Sequence, residues 1–336
     1  MHINAIYRIS DVVLKYLYRS GHVISLFFFR YTLWGKLMSE LISVAETTTV
    51  DERLSTVCKT WMITGTSSGL GRNLTEKLLA RGDRVIATLR RLGPLDDLQK
   101  QYPERLHVVA FDLTDTVALR YNVAAAFERF GHIDVFISNA GYGLFGAAEE
   151  VTDAQIDHVI ATNLVGSIQC IRAVIPFLRQ QGGGRIVQIS SEGGQIAYPN
   201  FSLYHASKWG IEGFIESVAQ EVGPFGIDFL IVEPGPTGTN FRAGLVCATP
   251  MAEYDDTPAG DVRRAVTSGS FVLKGDANKS VDAIIIAADS DRPALRLALG
   301  STAYYSIRAA LTQRLSAIEA QKKVAMQADV ADITAA

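Results

Sequence analysis

The chain has 336 residues, 48% of them hydrophobic and 20% charged, which suits one large domain or two small ones with a substantial core and argues against wholesale disorder. Its net charge is −3, and no basic block lies outside the N-terminus, so a nucleic-acid-binding protein is not expected. The 3 cysteines are far apart and the 6 histidines form no cluster. These patterns predict a reducing compartment, no disulfide framework and no metal site.

The N-terminal extension, residues 1–57, differs from the rest of the chain. Its first 37 residues carry one acid, Asp11, and several bases: Arg8, Lys15, Arg19, Arg30 and Lys36. The longest uncharged run, residues 20–29, is well short of the roughly 20 residues that a membrane-spanning helix needs. Two interpretations stay open. The segment is a basic amphipathic stretch that lies on a membrane surface, or the start codon is placed too early and the working chain begins at Met38.

From residue 60 onward, short β-branched runs alternate with longer helical stretches. The strand candidates are residues 61–64, 84–89, 107–111, 134–138, 185–190, 228–233 and 295–300. Helical stretches such as residues 71–81 and 203–221 lie between them. This alternation predicts βαβ crossovers and hence an α/β fold: a single doubly wound Rossmann domain with a mainly parallel seven-stranded sheet.

Two segments break the pattern. Residues 237–270 are rich in Gly, Pro, Asp and Thr and have weak periodicity, so we predict a long insertion before the next helix. Residues 323–336 are predicted to form a loose C-terminal tail.

The first strand candidate ends in a glycine-rich turn, T-G-T-S-S-G-L-G at 64–71, which opens a helix. Gly65 permits a tight turn, Gly69 lets the backbone approach a pyrophosphate, and Gly71 lets helix and strand pack closely. The free N–H groups at the start of a helix attract such an anion. Since the motif stands between a strand and a helix, it predicts a dinucleotide site.

The residues after the second strand indicate which dinucleotide binds. An NAD site places an acid about 20 residues beyond the glycines, but this chain has Leu89, Arg90 and Arg91 there. No carboxylate repels a 2′-phosphate at that place, and a guanidinium group is available to bind one. We therefore predict NADP(H), with NAD(H) as the alternative. Asp112, which closes the third strand, is predicted to bond the adenine amino group.

Tyr204 and Lys208 lie four residues apart in S-L-Y-H-A-S-K at 202–208, so their side chains share one face of a helix. A free phenol has a pKa of about 10 and is a poor base at neutral pH. The Lys208 ammonium and the positive ring of an oxidised nicotinamide are both expected to lower that pKa towards the working range. A rival acid, Tyr198, has Ser202 rather than a lysine four residues on, and it is predicted to line the substrate cleft.

These motifs occur together with S-N-A-G at 138–141, Asn163, Ser191 and P-G-P-T-G-T at 234–239. Their order and spacing resemble the short-chain dehydrogenase/reductase family across residues 58–322. Residues 87–91 and 293–311 resemble its hydroxysteroid- and retinol-dehydrogenase-like branch. The long segment before the first strand departs from the family pattern.

The resemblance implies four catalytic residues. Tyr204 would give a proton to a carbonyl oxygen during reduction and take it back during oxidation. Ser191, rather than its neighbour Ser190, has the family's 13-residue interval to Tyr204 and would bond the same oxygen. Lys208 would hold the nicotinamide ribose, and Asn163 would bind a water that links Lys208 to solvent.

The same resemblance, with the glycine turn, gives a set of cofactor contacts near the carboxyl ends of the strands. Asn139, Ala140 and Gly141 would lie against the adenosine ribose, while Pro234 and Gly235 would end a strand beside the nicotinamide. The backbone of Thr237 and the hydroxyl of Thr239 would bind its carboxamide and phosphate. The full set is Gly65, Ser67, Ser68, Gly69, Leu70, Gly71, Arg90, Asp112, Leu113, Asn139, Ala140, Gly141, Tyr204, Lys208, Pro234, Gly235, Thr237 and Thr239.

The sequence therefore predicts an NADP(H)-preferring oxidoreductase that interconverts a carbonyl compound and an alcohol. The alternative is a catalytically silent NADP-binding regulator of the same fold. Phe241, Leu245, Val246 and Met251 indicate an apolar small-molecule substrate. A homodimer or homotetramer, formed through the helices that carry Asn163 and Tyr204, is expected from the family. We expect a cytoplasmic location, with peripheral membrane association through residues 1–37 as the alternative.

Overall fold

The computed structural model describes residues 58–270 and 272–329, which belong to one compact unit. Both interpretations of residues 1–57 concern residues outside this range. The main strands are β1 (Thr60–Thr64), β2 (Arg84–Leu89), β3 (Leu106–Ala110), β4 (Val135–Ser138), β6 (Gly184–Ile189), β7 (Ile227–Pro234) and β9 (Arg296–Leu299). Two short strands, β5 (Leu144–Phe145) and β8 (Val246–Cys247), pair with each other.

The helices are α1 (Gly69–Arg81), α2 (Asp96–Gln101), α3 (Thr116–Phe130), α4 (Asp153–Val159), α5 (Ser167–Gln181), α6 (Ser202–Val222), α7 (Pro258–Thr267), α8 (Ala277–Asp289), α9 (Ser301–Ala320) and α10 (Lys322–Met326). A π-helical segment, Ile160–Gly166, joins α4 to α5. Short 3₁₀ turns lie at Glu192–Gly194, Gly223–Phe225 and Ala252–Tyr254.

The seven main strands form one sheet in the order β3-β2-β1-β4-β6-β7-β9, and every neighbouring pair is parallel. The doubly wound α/β fold predicted from the sequence is therefore confirmed. The chain runs outward in one direction from β1 to β3 and in the other from β4 to β9. Ligands of such sheets bind beyond the carboxyl ends of the strands at this reversal point.

The sheet has a hydrophobic cluster on each face. In β4, Phe136 belongs to one cluster, while Val135 and Ile137 belong to the other, as the period-2 geometry of a strand requires. The first cluster is completed by α3, α5 and α6, and the second by α1 and α8. Burial on both faces explains why the strands read as continuous apolar runs in the sequence.

One helical stretch, Asp153–Gln181, has the length and apolar composition of a membrane-spanning helix. Its residues Cys170, Ile171, Val174 and Leu178 are fully buried in the first cluster. Packing against the sheet therefore accounts for its apolar character.

The segment predicted as a long insertion contains elements that its sequence did not indicate. Residues 237–270 include β8 and α7, and α7 begins where the Thr257 hydroxyl accepts a hydrogen bond from Ala259 N. The predicted tail begins with the short helix α10. α7 does have an apolar face, formed by Val262, Ala265 and Val266 at helical spacing, which the sequence analysis did not recognise. The residues of α10 are exposed, so no apolar face marks that helix.

Candidate active site

The glycine turn between β1 and α1 is too tightly packed for side chains. Gly65 and Gly69 have φ angles of +71° and +59°, in the left-handed region that favours glycine. A Cβ on Gly65 would lie 2.6 Å from the Cα of Ala140, and a Cβ on Gly71 would lie 2.4 Å from the carbonyl oxygen of Gly65. The turn thus brings the start of α1 close against β1 and β4, as a phosphate-binding turn requires.

Asn139 lies behind this turn. Its Nδ2 donates hydrogen bonds to the carbonyl oxygens of Thr64 at 2.9 Å and Gly65 at 3.0 Å. Its backbone N donates to Thr64 Oγ1 at 3.0 Å. The side chain therefore ties the end of β4 to the glycine turn, and Ala140 and Gly141 form the exposed surface in front of it.

Two adjoining cavities lie at the carboxyl edge of the sheet and share Gly141, Tyr142, Thr239 and Phe241. The first has a volume of about 290 Å³. Of the predicted cofactor contacts, it is lined by Gly65, Ser67, Ser68, Gly69, Arg90, Asp112, Leu113, Ala140, Gly141 and Thr239. The second has a volume of about 470 Å³. Its predicted lining residues are Leu70, Gly141, Ser191, Tyr204, Lys208, Pro234, Gly235, Thr237 and Thr239. Gly71, Asn139 and Asn163 line neither cavity.

The first cavity is lined by two residues of opposite charge, Arg90 and Asp112. Arg90 is exposed at the end of β2. Hydrogen bonds from Thr114, through its backbone N at 2.8 Å and its hydroxyl at 2.7 Å, lower the pKa of Asp112, and the positive charge of Arg90 lowers it further. Asp112 is therefore an ionised acceptor, while Arg90 makes no ion pair with any described residue.

Tyr204 and Ser191 both line the second cavity. Tyr204 stands near the start of α6, is 7% exposed, and lies close enough to Ser191 for that side chain to favour the ionised phenol and so lower its pKa. Ser191 follows β6, and its hydroxyl accepts a hydrogen bond from Gly193 N at 3.1 Å. Ser191 and Tyr204, 13 residues apart in the chain, thus line the same cavity, while the Ser190 hydroxyl donates to Glu212.

Lys208 lies one helical turn after Tyr204, with its Nζ 5.7 Å from the centre of the Tyr204 ring. The Nζ donates a hydrogen bond to the carbonyl oxygen of Ile189 at 2.9 Å. Burial lowers the pKa of Lys208 to about 8, against the opposing charge of Glu212 one turn further along α6. Lys208 therefore changes charge close to physiological pH.

The pKa of Tyr204 differs from the sequence-based expectation. We expected Lys208 and an oxidised nicotinamide to lower it; in the protein alone, burial raises the pKa of Tyr204 to about 12, although the Ser191 side chain acts in the opposite direction. The negative charges of Glu192 and Glu212 act in the same direction as burial. In the protein alone, Tyr204 is a protonated phenol and so a proton donor.

Asn163 is buried in the π-helical segment between α4 and α5. Its Oδ1 accepts from Tyr142 N at 3.0 Å, and its Nδ2 donates to Tyr142 O at 2.8 Å. These two bonds hold the chain segment that follows β4. A Cβ on Gly141, in the same segment, would lie 3.1 Å from Asn163 Oδ1 and 3.9 Å from Lys208 Nζ. The side chain fixes the junction of the two cavities, and π-helical turns are frequent at such functional places.

The predictions for two other polar residues can be compared with their positions. Tyr198 lines the second cavity as expected, with its ring 5.3 Å from that of Phe201. His205 is turned away from the cavity, since its Nδ1 bonds the carbonyl oxygen of Gly193 at 2.8 Å and its Nε2 accepts from Tyr198 N. The described residues hold no group of three or more metal-ligating side chains.

Residues 59–247 match the family model of the short chain dehydrogenases. The chain belongs to the short-chain dehydrogenase family. As a member it is an NAD(P)-dependent oxidoreductase that acts on CH–OH groups.

Three known proteins show how far the similarity extends. An oxidoreductase of Botryotinia fuckeliana, BOA17, is 35% identical over 246 residues, which cover 73% of this chain and 90% of that protein. Human retinol dehydrogenase 8 is 34% identical over 203 residues, or 59% of this chain and 65% of that protein. The crystal structure of a short-chain dehydrogenase from Streptomyces avermitilis has 36% identity and a TM-score of 0.75, and it covers 82% of this chain and 100% of that chain.

The second cavity of the present chain is also lined by residues that the sequence analysis missed. Val262, Ala265 and Val266 of α7 and Leu273 line the second cavity, and so do Thr302 and Ser306 of α9. Glu192, directly after Ser191, also lines it and is buried. A carboxylate next to the family's serine was a visible signal, but its partner Ser306 lies more than 100 residues away in the chain.

Proposed function

We propose that this short-chain dehydrogenase prefers NADP(H) and interconverts an apolar ketone or aldehyde with its alcohol, with Tyr204 as the acid/base. The observation that carries the proposal is that the buried Tyr204, Ser191 and, one helical turn after Tyr204, Lys208 line one cavity, which adjoins the glycine turn. A proton donor, a second hydroxyl and a cation at one place match the needs of carbonyl reduction.

The residues present fit a dinucleotide. The glycine turn and the start of α1 offer free N–H groups for the pyrophosphate, and Ala140 and Gly141 leave room beside it. In this proposal Arg90 and Asp112, which line the first cavity, would bind the adenosine end of the cofactor. Pro234, Gly235, Thr237 and Thr239, which line the second, would bind the nicotinamide end. When bound, the cofactor supplies or accepts the hydride.

The protein's own residues would handle the proton and the charge. Tyr204 gives its proton to the carbonyl oxygen during reduction, and Ser191 donates a hydrogen bond to the same oxygen as negative charge develops there. The Gly193 N–H bonds the Ser191 oxygen and so orients its hydroxyl. The Lys208 ammonium stabilises the phenolate that Tyr204 leaves behind, since an opposite charge nearby favours the ionised form.

Arg90→Ala is expected to lower kcat/KM with NADPH by about 10- to 100-fold, because a hydrogen-bonded guanidinium–phosphate contact contributes roughly 1.5–3 kcal/mol. The value with NADH should change little. Arg91→Ala is the matched control, since the neighbouring arginine is also exposed but does not line the cavity. Steady-state kinetics with both cofactors measure the effect. An equal loss with NADPH and NADH would show that Arg90 does not select the 2′-phosphate.

Carbonyl reduction is expected to slow as the pH rises through about 8. Burial lowers the pKa of Lys208 to about 8, so its ammonium form predominates below that pH and is lost above it. Tyr204, with a pKa of about 12, keeps its proton over this range. The fall in kcat/KM between pH 7 and 10, at saturating NADPH, therefore follows Lys208. A flat profile over that range would contradict this assignment.

The substrate cavity favours an apolar compound. Its walls near Tyr204 are formed by Tyr198, Phe201, Phe241 and Leu245, with the α7 residues beyond. Phe241 lies with its ring 5.7 Å from that of Tyr204. Human retinol dehydrogenase 8, a relative of this chain, is named for an apolar alcohol, which agrees with a lipophilic carbonyl substrate here.

The first experiment is the consumption of NADPH, with NADH alongside, over a panel of apolar aldehydes, ketones and quinones. Turnover that Tyr204→Phe abolishes would establish the reaction and the acid. Binding of NADPH without turnover of any compound would instead favour the silent regulator. Faster turnover with NADH would contradict the cofactor preference.

Assembly and location are part of the same proposal. Val165 of the π-helical segment and Trp209 of α6 are each 44% exposed, on the helices that carry Asn163 and Tyr204. We propose that these helices form a homodimer or homotetramer interface, which light scattering on the purified protein tests.

We also propose a cytoplasmic location, in keeping with the exposed free thiols of Cys58 and Cys247. Comparing the membrane-bound fraction of the full chain with that of a chain started at Met38 tests the role of residues 1–37.

A further inference from the structure

Glu192 places a carboxyl group in the wall of an otherwise apolar cavity. It follows Ser191 directly, begins a 3₁₀ turn and is 4% exposed. Burial raises the pKa of Glu192, and its negative charge in turn raises the pKa of Tyr204 and of Tyr198. The carboxyl is therefore close enough to act electrostatically on both tyrosines of the substrate cavity.

Glu192 differs from the other buried carboxylates among the described residues, which all pair with arginine. Asp83 pairs with Arg81, Glu150 with Arg263, and both Glu212 and Glu233 pair with Arg296. Glu192 has no basic partner within the part of the chain that the structure describes. Since a buried carboxyl without a basic partner destabilises a fold, its presence beside the candidate active site points to a role in function.

A single side chain donates to this carboxyl. Ser306 of α9 donates to Glu192 Oε2 at 2.9 Å, and the same hydroxyl also has Ala303 O as an acceptor at 3.2 Å. Within the described residues, Oε1 accepts no hydrogen bond. Because a carboxyl can accept several hydrogen bonds, Glu192 retains unused acceptor capacity in the cavity wall.

The Glu192 carboxyl lies near the residues proposed to bind the reacting carbonyl group. Its Oε2 lies 3.5 Å from where a Cβ on Gly235 would stand, at the end of β7. Ser191, its neighbour in the chain, lies close enough to Tyr204 to lower the pKa of the phenol. Ser191, Glu192, Tyr204 and Gly235 all line the 470 Å³ cavity. Because Glu192 directly follows Ser191, a compound whose carbonyl oxygen is bound by Ser191 and Tyr204 has the Glu192 carboxyl among the polar groups around it.

We propose that Glu192 determines substrate specificity: its carboxyl accepts a hydrogen bond from a hydroxyl of the substrate, so the preferred substrates are apolar ketones that carry a hydroxyl group. This proposal rests on the carbonyl reduction proposed above. In the free enzyme, solvent in the cavity would satisfy the remaining acceptor capacity of Glu192, and a substrate hydroxyl would replace that solvent without loss of hydrogen bonding. A ketone without the hydroxyl displaces that solvent and leaves the buried carboxyl with Ser306 alone, which the site disfavours.

The test uses 2-decalone and a series of hydroxy-2-decalones with the hydroxyl at successive ring positions. Kinetics with NADPH give kcat/KM for each compound with the wild-type enzyme. We expect at least one hydroxyketone to exceed 2-decalone by about 10- to 100-fold, the effect of a hydrogen bond to a charged or strongly polar acceptor. Glu192→Leu should remove the preference, and Glu192→Gln, which keeps an acceptor oxygen, should retain part of it.

Ser306→Ala separates specificity from a purely structural role. It removes the same contact between the 3₁₀ turn and α9 but leaves the carboxyl in place, so the preference for the hydroxyketone should persist. If Ser306→Ala and Glu192→Leu lose the preference equally, Glu192 acts only by positioning α9 and the proposal is overturned. Equal kcat/KM for all decalones with the wild-type enzyme would also overturn it, while the proposed reaction would stand.

A binding measurement keeps the two proposals distinguishable. The rise in Tm of the enzyme–NADP⁺ mixture is compared for 2-decalol and for decalindiols. A larger rise with a diol, lost in Glu192→Leu, supports the hydroxyl site even if no decalone is turned over, in which case carbonyl reduction fails alone. The same rise with mono-alcohol and diols would sink the hydroxyl site.

Discussion

Tyr204→Phe is expected to lower kcat for carbonyl reduction by about 10²- to 10⁴-fold, the usual effect of removing a general acid. The substitution deletes one hydroxyl, which lies close to Ser191. The aromatic ring keeps its contacts with Phe201 and Phe241. The loss therefore falls on proton transfer rather than on folding, and it is measured as NADPH oxidation with a ketone that the wild-type enzyme reduces.

Tyr198→Phe is the matched control for this prediction. Tyr198 lines the same cavity, and burial raises its pKa as it does that of Tyr204. It lacks both a lysine one turn on and the proximity to Ser191, so its substitution should reduce kcat far less. NADPH binding and Tm should stay near the wild-type values in both variants. Equal activity of Tyr204→Phe and wild type would show that the proton comes from another group.

The general architecture could be predicted from the sequence because it depends on local patterns. Each of the seven strands lies within one or two residues of its predicted position, since strands buried on both faces leave continuous β-branched runs. The glycine turn was also predictable, because its positive φ angles and close contacts require glycine itself. The sequence intervals between Ser191, Tyr204 and Lys208 singled out three residues that do line one cavity.

The features that were missed depend on contacts between distant segments. The lowering of the Tyr204 pKa by Lys208 was expected from an interval of four residues, but burial by the surrounding fold outweighs it. The hydrogen bonds from the Asn139 amide to the carbonyls of Thr64 and Gly65 likewise join segments that are far apart in the chain. The hydrogen-bond donor to Glu192 is Ser306, which lies on α9, the helix after the last strand of the sheet. No local pattern encodes the depth of burial or these partners.

The helix glycines of this chain allow a test in which the same substitution has opposite effects. A Cβ on Gly71 would lie 2.4 Å from the carbonyl oxygen of Gly65 and 2.5 Å from Nδ2 of Asn139, and the backbone atom cannot give way. Gly213, within α6, has no atom within 4 Å of the place where its Cβ would stand. Both substitutions to alanine improve helix propensity equally, so any difference arises from the space around the new methyl group.

Gly71→Ala is therefore expected to lower the free energy of unfolding by about 1–3 kcal/mol, as overpacking does, and to abolish NADPH binding, because α1 must move away from the glycine turn. Gly213→Ala should raise the free energy of unfolding by roughly 0.5–1 kcal/mol and leave binding intact. Urea unfolding and the fluorescence titration of NADPH measure the two quantities. If Gly71→Ala bound NADPH as tightly as Gly213→Ala, the close approach of α1 to the turn would not be what shapes the cofactor site. A lower stability together with lost binding, in Gly71→Ala alone, would show that one close contact supports both the fold and the phosphate-binding turn.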